Sequence, residues 1–147
     1  MKISVGSDHC GYGLKIKMIS KLKELGHEVV DYGCYDRNPV DFPDIAKLVC
    51  SSIVKGEADR GIMFCGTGVG AAIACNKFPG IRASVCHDIY SAHQCVEHDD
   101  VKVMCIGEQI VGEAVAYDLI VSFLQAQFST DPDFRRRVKK LIEMESK

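Results

Sequence analysis

The chain has 147 residues, of which 47% are hydrophobic and 26% charged, and its formal net charge is −2. This length suits one domain with a real core, and this hydrophobic content excludes a disordered chain. The near-neutral charge gives no reason to expect nucleic-acid or membrane partners. Residues 1–8 lack the apolar core of a signal peptide, and no uncharged apolar run is long enough to cross a bilayer.

The eight cysteines are spread along the chain, and none form a Cys-x-x-Cys pair. Most of them lie inside apolar runs, where a cysteine acts as a small buried hydrophobe. Without a secretion signal, this usage predicts reduced thiols and a cytoplasmic location. No pair has zinc-ligand spacing, which disfavours a metal site.

Short apolar runs alternate with amphipathic stretches from the beginning of the chain. In chain order the pattern predicts a strand over 2–6, a helix over 14–25 closed by Gly26, a strand over 28–33, a helix that begins at Asp41 or Asp44 and is closed by Gly56, a strand over 62–64 and a helix over 71–75. A glycine-rich turn separates the last two elements.

The second half continues the alternation. It predicts a strand over 81–86, a helix from an Asp88 N-cap to about residue 97, a strand over 101–106, a helix over 113–128 and a last helix that starts at Asp131-Pro132. We expect one domain over residues 1–147, with a helical tail over about 131–147. The tail carries a basic run, residues 135–140, for which a solvated helix face is the alternative to a binding role.

Five strands alternating with helices predict an α/β fold with a five-stranded parallel sheet and helices on both faces. In such sheets ligands bind beyond the carboxyl ends of the strands. Polar residues follow three of the predicted strands: Asp8-His9, then Cys65-Gly66-Thr67, then His87-Asp88. The sequence therefore predicts a site at this edge of the sheet.

The glycine turn at residues 66–70 is the strongest local signal. Gly66, Gly68 and Gly70 allow a tight turn and a close approach to a ligand, and a helix that starts here directs its free N–H groups and positive dipole end at an anion. Cys65 and Thr67 lie at the edge of that field, where a cysteine should ionise more easily than a free one.

Three interpretations of the turn compete. It is a strand–helix turn that needs glycine for packing only, a dinucleotide-binding turn, or a catalytic anion hole with Cys65 and Thr67 as its chemistry. Residues 66–71 fit G-x-G-x-x-G/A, and Asp88 lies about 20 residues further on, as that motif asks. The dinucleotide interpretation is disfavoured because the turn follows the third strand and the chain has no room for a separate substrate domain.

Six segments, taken together, resemble one family over nearly the whole chain. They are Gly6-Ser7-Asp8-His9-Cys10-Gly11, Asp41-Phe42-Pro43-Asp44, residues 56–61, residues 65–70, residues 76–83 and Glu97-His98-Asp99-Asp100. In this order they are similar to the pattern of type B ribose-5-phosphate isomerases, a family that also includes the galactose-6-phosphate isomerase subunits. Cys65 together with His98 favours the ribose branch.

The resemblance implies a Rossmann-like three-layer fold and a metal-free, cofactor-free interconversion of ribose 5-phosphate and ribulose 5-phosphate. It also implies a homodimer, or a tetramer, in which two copies share each active site. By this analogy Cys65 is the base, and His98 with Thr67 opens the sugar ring. The analogy assigns substrate binding to Asp8, His9, Gly66, Gly68, Val69, Gly70, Asp99, Arg136 and Arg137, with backbone N–H groups around Gly68–Gly70 stabilising the enediolate.

Besides Phe42, which stands where a tyrosine is common, three positions depart from the family pattern. Asp99 stands where asparagine is usual, Gln109 stands where a Gly-x-Arg arginine is usual, and Asp133 falls where the first of two tail arginines is expected. A phosphate prefers bidentate guanidinium partners, so the far end of the substrate is in question. The alternatives are an isomerase of another aldose or of a six-carbon sugar phosphate, and a non-catalytic sugar-phosphate-binding protein.

Overall fold

A computed structural model describes residues 1–145 of the chain, as five strands and six helices. The elements are β1 (Lys2–Ser7), α1 (Tyr12–Glu24), β2 (Glu28–Asp31), α2 (Phe42–Val54), β3 (Arg60–Cys65), α3 (Val69–Asn76), β4 (Ala83–Val85), α4 (Ile89–Asp99), β5 (Val103–Gly107), α5 (Glu113–Gln125) and α6 (Pro132–Glu145). Residues 146 and 147 of the predicted tail lie outside the described residues. Over residues 1–145 no helix has the length and hydropathy of a membrane span.

The five strands form one sheet in the order β2-β1-β3-β5-β4, with every neighbouring pair parallel. The central strand is β3, all of whose residues are buried. Its last residues pair with the ends of both neighbours, Phe64 with Ser7 and Cys65 with Gly107. The segments that follow β1, β3 and β5 therefore meet at one edge of the sheet.

Helices cover both faces, which confirms the predicted three-layer α/β fold. Ile62 and Phe64 of β3 pack into a core shared with α1, α4 and α5, whereas Met63 and Cys65 pack into a second core under α2 and α3. Successive side chains of a strand point to opposite faces, so a strand that is buried on both sides reads as one continuous apolar run. This is the reason for the unbroken apolar sequence of β3.

Three strands and one helix are shorter than predicted, and one of these strands is β5, which begins at Val103 rather than at residue 101. β2 ends at Asp31 because the chain turns at Gly33, whose φ is +105°. β4 begins only at Ala83, whose backbone N–H and carbonyl are both hydrogen-bonded to the Asn76 side chain. α5 ends at Gln125 rather than near 128. There the buried guanidinium of Arg60 donates hydrogen bonds to the carbonyl groups of Phe123 and Ala126, and the helix ends between these two residues.

The charged side chain of Lys15 is buried in the interior. The Lys15 side chain is fully covered, and its Nζ lies 2.8 Å from an oxygen of Asp31 and also contacts the carbonyl group of Cys34. A buried charge is tolerated only when it is paired and hydrogen-bonded. Lys15 therefore attaches α1 to the segment that follows β2.

Candidate active site

Cys65 lies at the carboxyl end of β3, with 5% of its surface exposed. Its Sγ accepts the backbone N–H of Gly68 at 2.8 Å. Gly68 is the N-cap of α3 and has φ +84°, a left-handed conformation that glycine adopts without strain. The thiol therefore lies directly at the N-terminal end of α3, as the sequence predicted.

The turn after β1 forms one wall of this site. The N–H of Asp8 donates to the carbonyl of Phe64 at 3.2 Å, and Asp8 Oδ1 accepts the N–H groups of Cys10 and Gly11 at 2.9 and 3.0 Å. A Cβ on Gly11 would lie 2.3 Å from the Phe64 carbonyl carbon, so only glycine allows this approach. The structure thus brings Asp8 and His9 beside Cys65. His9 Nδ1 accepts the N–H of Val40 at 3.2 Å.

The segment after β5 forms the opposite wall, and the sequence assigned it no site role. The N–H of Glu108 donates to the carbonyl of Cys65 at 2.8 Å, and that of Gln109 donates to the carbonyl of Gly66 at 3.1 Å. The Gln109 side-chain oxygen lies 3.3 Å from where a Gly66 Cβ would stand. Glu108 Oε1 accepts the N–H of Leu14 at 2.6 Å, near the start of α1. The only sequence signal for Gln109 was its departure from the family pattern.

The glycine turn and the first turn of α3 form the floor. Thr67 is exposed, and its Oγ1 accepts the N–H of Val69 at 3.3 Å. The first backbone bond of the helix joins the N–H of Ala72 to the carbonyl of Gly68 at 3.0 Å. The amides of Gly70 and Ala71 precede it, and a helix provides no partner for such groups. This arrangement suits an oxygen that carries negative charge.

His87 follows β4 at the same edge of the sheet. Its Nε2 accepts the N–H of Gly107 at 2.9 Å, so this nitrogen carries no proton in that contact. Burial lowers the pKa of His87, and the neighbouring carboxylate of Asp88 opposes the shift. Asp88 Oδ1 caps α4 by accepting the N–H of Ser91 at 2.7 Å, which confirms the predicted N-cap.

We expect His87→Gln to weaken the loss of stability on acidification. The folded state favours neutral His87, so below the ordinary pKa of 6.5 the unfolded chain binds more protons and stability falls as pH falls. A glutamine oxygen can still accept the Gly107 N–H but cannot titrate. Thermal unfolding at about pH 7.5 and about pH 5.5 measures the difference, since the unperturbed histidine titrates between them. An unchanged pH slope would contradict the assignment.

His98 and Asp99 lie at the other end of the molecule. They form the end of α4, which precedes β5, whereas Cys65 pairs with the last residue of β5. A strand of five residues spans about 13 Å, so one chain does not bring His98 to its own Cys65. The carbonyl of Asp99 accepts the Arg82 Nε–H at 2.9 Å, and the residue is exposed.

The two tail arginines assigned to the substrate lie on α6, whose Phe134 stacks on His98. The Arg136 Nη1 lies 2.6 Å from Asp133 Oδ1, and this hydrogen bond lowers the pKa of Asp133. The Arg137 guanidinium lies 5.8 Å from the ring centre of Phe134, which stacks on His98. The predicted site residues therefore form two groups: one around Cys65 at the carboxyl edge, and one at the junction of α4 and α6.

Cys50 and Cys75 are buried cysteines whose side chains hydrogen-bond to other cysteines. A hydrogen bond to Cys75, followed by burial, raises the pKa of Cys50, and a hydrogen bond to Cys105 is the largest cause that raises the pKa of Cys75. A thiol held protonated in an apolar core is inert. All eight cysteines are free thiols.

Comparisons with known proteins place the chain in one family. The Ribose/Galactose Isomerase family matches residues 3–141. Ribose-5-phosphate isomerase B of Escherichia coli (strain K12) is 42% identical over 127 residues, which cover 86% of this chain and 85% of that protein. The galactose-6-phosphate isomerase subunit LacB of Clostridium acetobutylicum is 34% identical over 98% of this chain and 83% of its own length.

A solved structure gives the same result in three dimensions. The ribose-5-phosphate isomerase B of Clostridium thermocellum matches with a TM-score of 0.97 and 44% identity, over 99% of this chain and 98% of that one. The fold, the family match and these relatives agree with each other. The chain therefore belongs to the ribose/galactose isomerase family and is an aldose–ketose isomerase.

Proposed function

We propose that the protein interconverts ribose 5-phosphate and ribulose 5-phosphate through an enediolate. In the aldose-to-ketose direction the base removes the proton on C2, the electron pair forms the C1–C2 double bond, and negative charge moves onto the carbonyl oxygen. A proton returned to C1 and a proton lost from the C2 hydroxyl complete the ketose. The carbons exchange oxidation state within one molecule, so no external oxidant or reductant is needed.

One observation carries this proposal: the position of Cys65 at the N-terminal end of α3. Its sulfur accepts the Gly68 N–H at 2.8 Å, and the amides of Gly70 and Ala71 point out of the first helical turn. A thiolate is stabilised by such donors and by the positive end of the helix. The same amides suit the enediolate oxygens, and one donor of this kind contributes about 3 kcal/mol to transition-state stabilisation. We assign the base to Cys65.

Ring opening requires a second acid–base group, which we assign to His98 with the Thr67 hydroxyl. Ribose 5-phosphate is mostly a furanose. Its opening moves a proton from the C1 hydroxyl to the ring oxygen while the bond between C1 and that oxygen breaks. Because one chain holds Cys65 and His98 at opposite ends of the sheet, we propose that His98 is supplied by a second copy. Asp99, Arg136 and Arg137 would come with it, because they lie at the same α4–α6 junction.

Exposed apolar side chains beside the site support a homodimer, with a tetramer as the larger alternative. Val69 and Ile73 of α3 are 53% and 57% exposed, and Ile89 and Tyr90 at the start of α4 are 55% and 71% exposed. Within each helix the two residues lie close together, and exposed apolar pairs of this kind are typical of an interface. We further propose that residues 1–147 act as one domain with α6 as its tail, and that the protein works in the reducing cytoplasm, as its free thiols suggest.

The phosphate end of the site has few partners for an anion. We assign phosphate binding to His9 and to the guanidinium groups of Arg136 and Arg137, and Arg136 already pairs with Asp133 at 2.6 Å. Gln109 offers a neutral amide at the wall beside Gly66. A neutral amide suits a sugar hydroxyl better than a phosphate. This favours an isomerase of another aldose or of a six-carbon sugar phosphate as the second candidate.

A substrate panel separates these candidates. We expect ribose 5-phosphate to give the highest kcat/KM among ribose 5-phosphate, galactose 6-phosphate, allose 6-phosphate and free ribose. Free ribose should be at least about 100-fold poorer, since charged hydrogen bonds to a phosphate contribute strongly to binding. A preference for a six-carbon phosphate or a free sugar would replace the substrate assignment. Tight sugar-phosphate binding without turnover would favour a binding protein.

A further inference from the structure

The His98 imidazole is held on one face by a stacked aromatic ring. Its ring stacks on Phe134 of α6, with 3.8 Å between ring centres and 14° between planes. The Ser129 N–H donates to the carbonyl of Glu97 at 2.9 Å and so fixes the segment before α6 to the end of α4. A stacked ring between two anchored elements has little freedom to tilt. The plane of His98 is therefore set before any substrate arrives.

The carboxylate of Glu97 lies between two imidazoles. Glu97 Oε2 is 2.6 Å from His93 Nε2, one helical turn earlier, and Glu97 Oε1 is 3.8 Å from His98 Nε2. The first contact is a short hydrogen bond, and the second is an electrostatic contact that is longer than a hydrogen bond. His93 thus holds the carboxylate in a position from which it acts on one nitrogen of His98.

We propose that Glu97, held by His93, is a positioning residue for His98 in ring opening. This inference rests on the proposed function and deepens it. A carboxylate near Nε2 favours the tautomer with the proton on that nitrogen. Nδ1 is then the atom that takes the proton from the C1 hydroxyl and delivers it to the ring oxygen. While His98 carries both protons, the carboxylate compensates the positive charge.

The tautomer can be tested without any substrate. In the ¹⁵N-labelled protein, two-bond nitrogen–proton correlations of the imidazole distinguish a proton on Nε2 from one on Nδ1. We expect neutral His98 to carry its proton on Nε2, and Glu97→Gln to convert it to a mixture of tautomers. An identical His98 spectrum in the variant would overturn the proposal. A changed spectrum would support it even if the wild-type protein failed to isomerise ribose 5-phosphate, which would overturn the proposed function alone.

Kinetics test the same role in the reaction. We expect Glu97→Gln to lower kcat for ribose 5-phosphate by about tenfold, because ring opening becomes slower. KM should stay within about twofold of wild type, because Glu97 makes no contact with the substrate in this proposal. Deuterium exchange from D₂O into C1 of ribulose 5-phosphate should be unchanged, because this open-chain sugar needs the base but no ring opening. Equal loss in both assays would indicate a structural defect and overturn the proposal.

Two further variants serve as references. His93→Gln should lower kcat by a smaller factor, about two- to fivefold, because Glu97 remains but loses its anchor. Glu113→Gln is the matched control: its carboxylate lies 3.8 Å from Lys17 Nζ and is 46% exposed, close to the 41% of Glu97. It should leave both assays within about 1.5-fold of wild type. A loss of kcat in Glu113→Gln as large as that in Glu97→Gln would overturn the specific role of Glu97 in positioning His98.

Discussion

Cys65→Ala should lower kcat for ribose 5-phosphate by about 10³-fold or more, within the range that a general base contributes. The reason is geometric: in the structure the Cys65 sulfur is the group that accepts the Gly68 amide at the start of α3. The substitution removes a single sulfur atom from a buried position, so the fold should persist. Steady-state kinetics, with circular dichroism to confirm folding, make the measurement.

Cys75→Ala is the control for this experiment. Cys75 lies on α3 in the same buried cluster as Cys65, so both variants lose one sulfur from the same core. Cys75 lies in the last turn of α3, whereas the anion-binding amides lie in its first turn, so we expect the kcat of Cys75→Ala to stay within about threefold of wild type. Retained activity in Cys65→Ala, or equal losses in the two variants, would exclude Cys65 as the base.

A hybrid dimer should recover activity that neither parent possesses. Cys65→Ala and His98→Asn homodimers should both be nearly inactive. When the two chains are co-expressed with different tags and the hybrid is isolated, one site contains the intact Cys65 and the intact His98, and the other contains neither. A twofold-symmetric interface then predicts about half of the wild-type activity per dimer.

The reverse pairing makes the result unambiguous. A hybrid of wild type with the Cys65→Ala/His98→Asn double variant places one defect in each shared site and should be nearly inactive. If each chain used its own Cys65 and His98, this second hybrid would have about half of the wild-type activity and the first would have none. Activity in the second hybrid alone would therefore refute the shared site.

The sequence alone predicted most of the fold because its signals were local. The unbroken apolar run of β3, glycines 26 and 56 at the ends of helices, and the Asp88 N-cap each fix a boundary through a nearby residue. One of the boundaries that were wrong depends on a distant partner. The end of α5 is fixed by Arg60, about sixty positions earlier, and such a contact leaves no periodic pattern.

The site was predictable to the same extent. Strand ends in a parallel sheet meet at one edge, so Asp8, His9 and Cys65 were expected together, and the structure places them together. The wall formed by Glu108 and Gln109 was missed because their backbone amides, not their side-chain types, make the contact with the glycine turn. The grouping of His98 with Phe134 depends on how α6 returns to α4, which no local motif specifies.

The buried Lys15 has a consequence for how a sugar can enter. Its ammonium group is neutralised by Asp31 and bonded to the carbonyl of Cys34, in the segment that leads to Val40 and so to His9. Swinging that segment outward would remove one of the two acceptors of a buried ammonium group, at a cost of about 1–3 kcal/mol. The segment beside His9 is therefore held rigid. If a segment moves to admit the sugar, we expect it to be on the opposite side of the site.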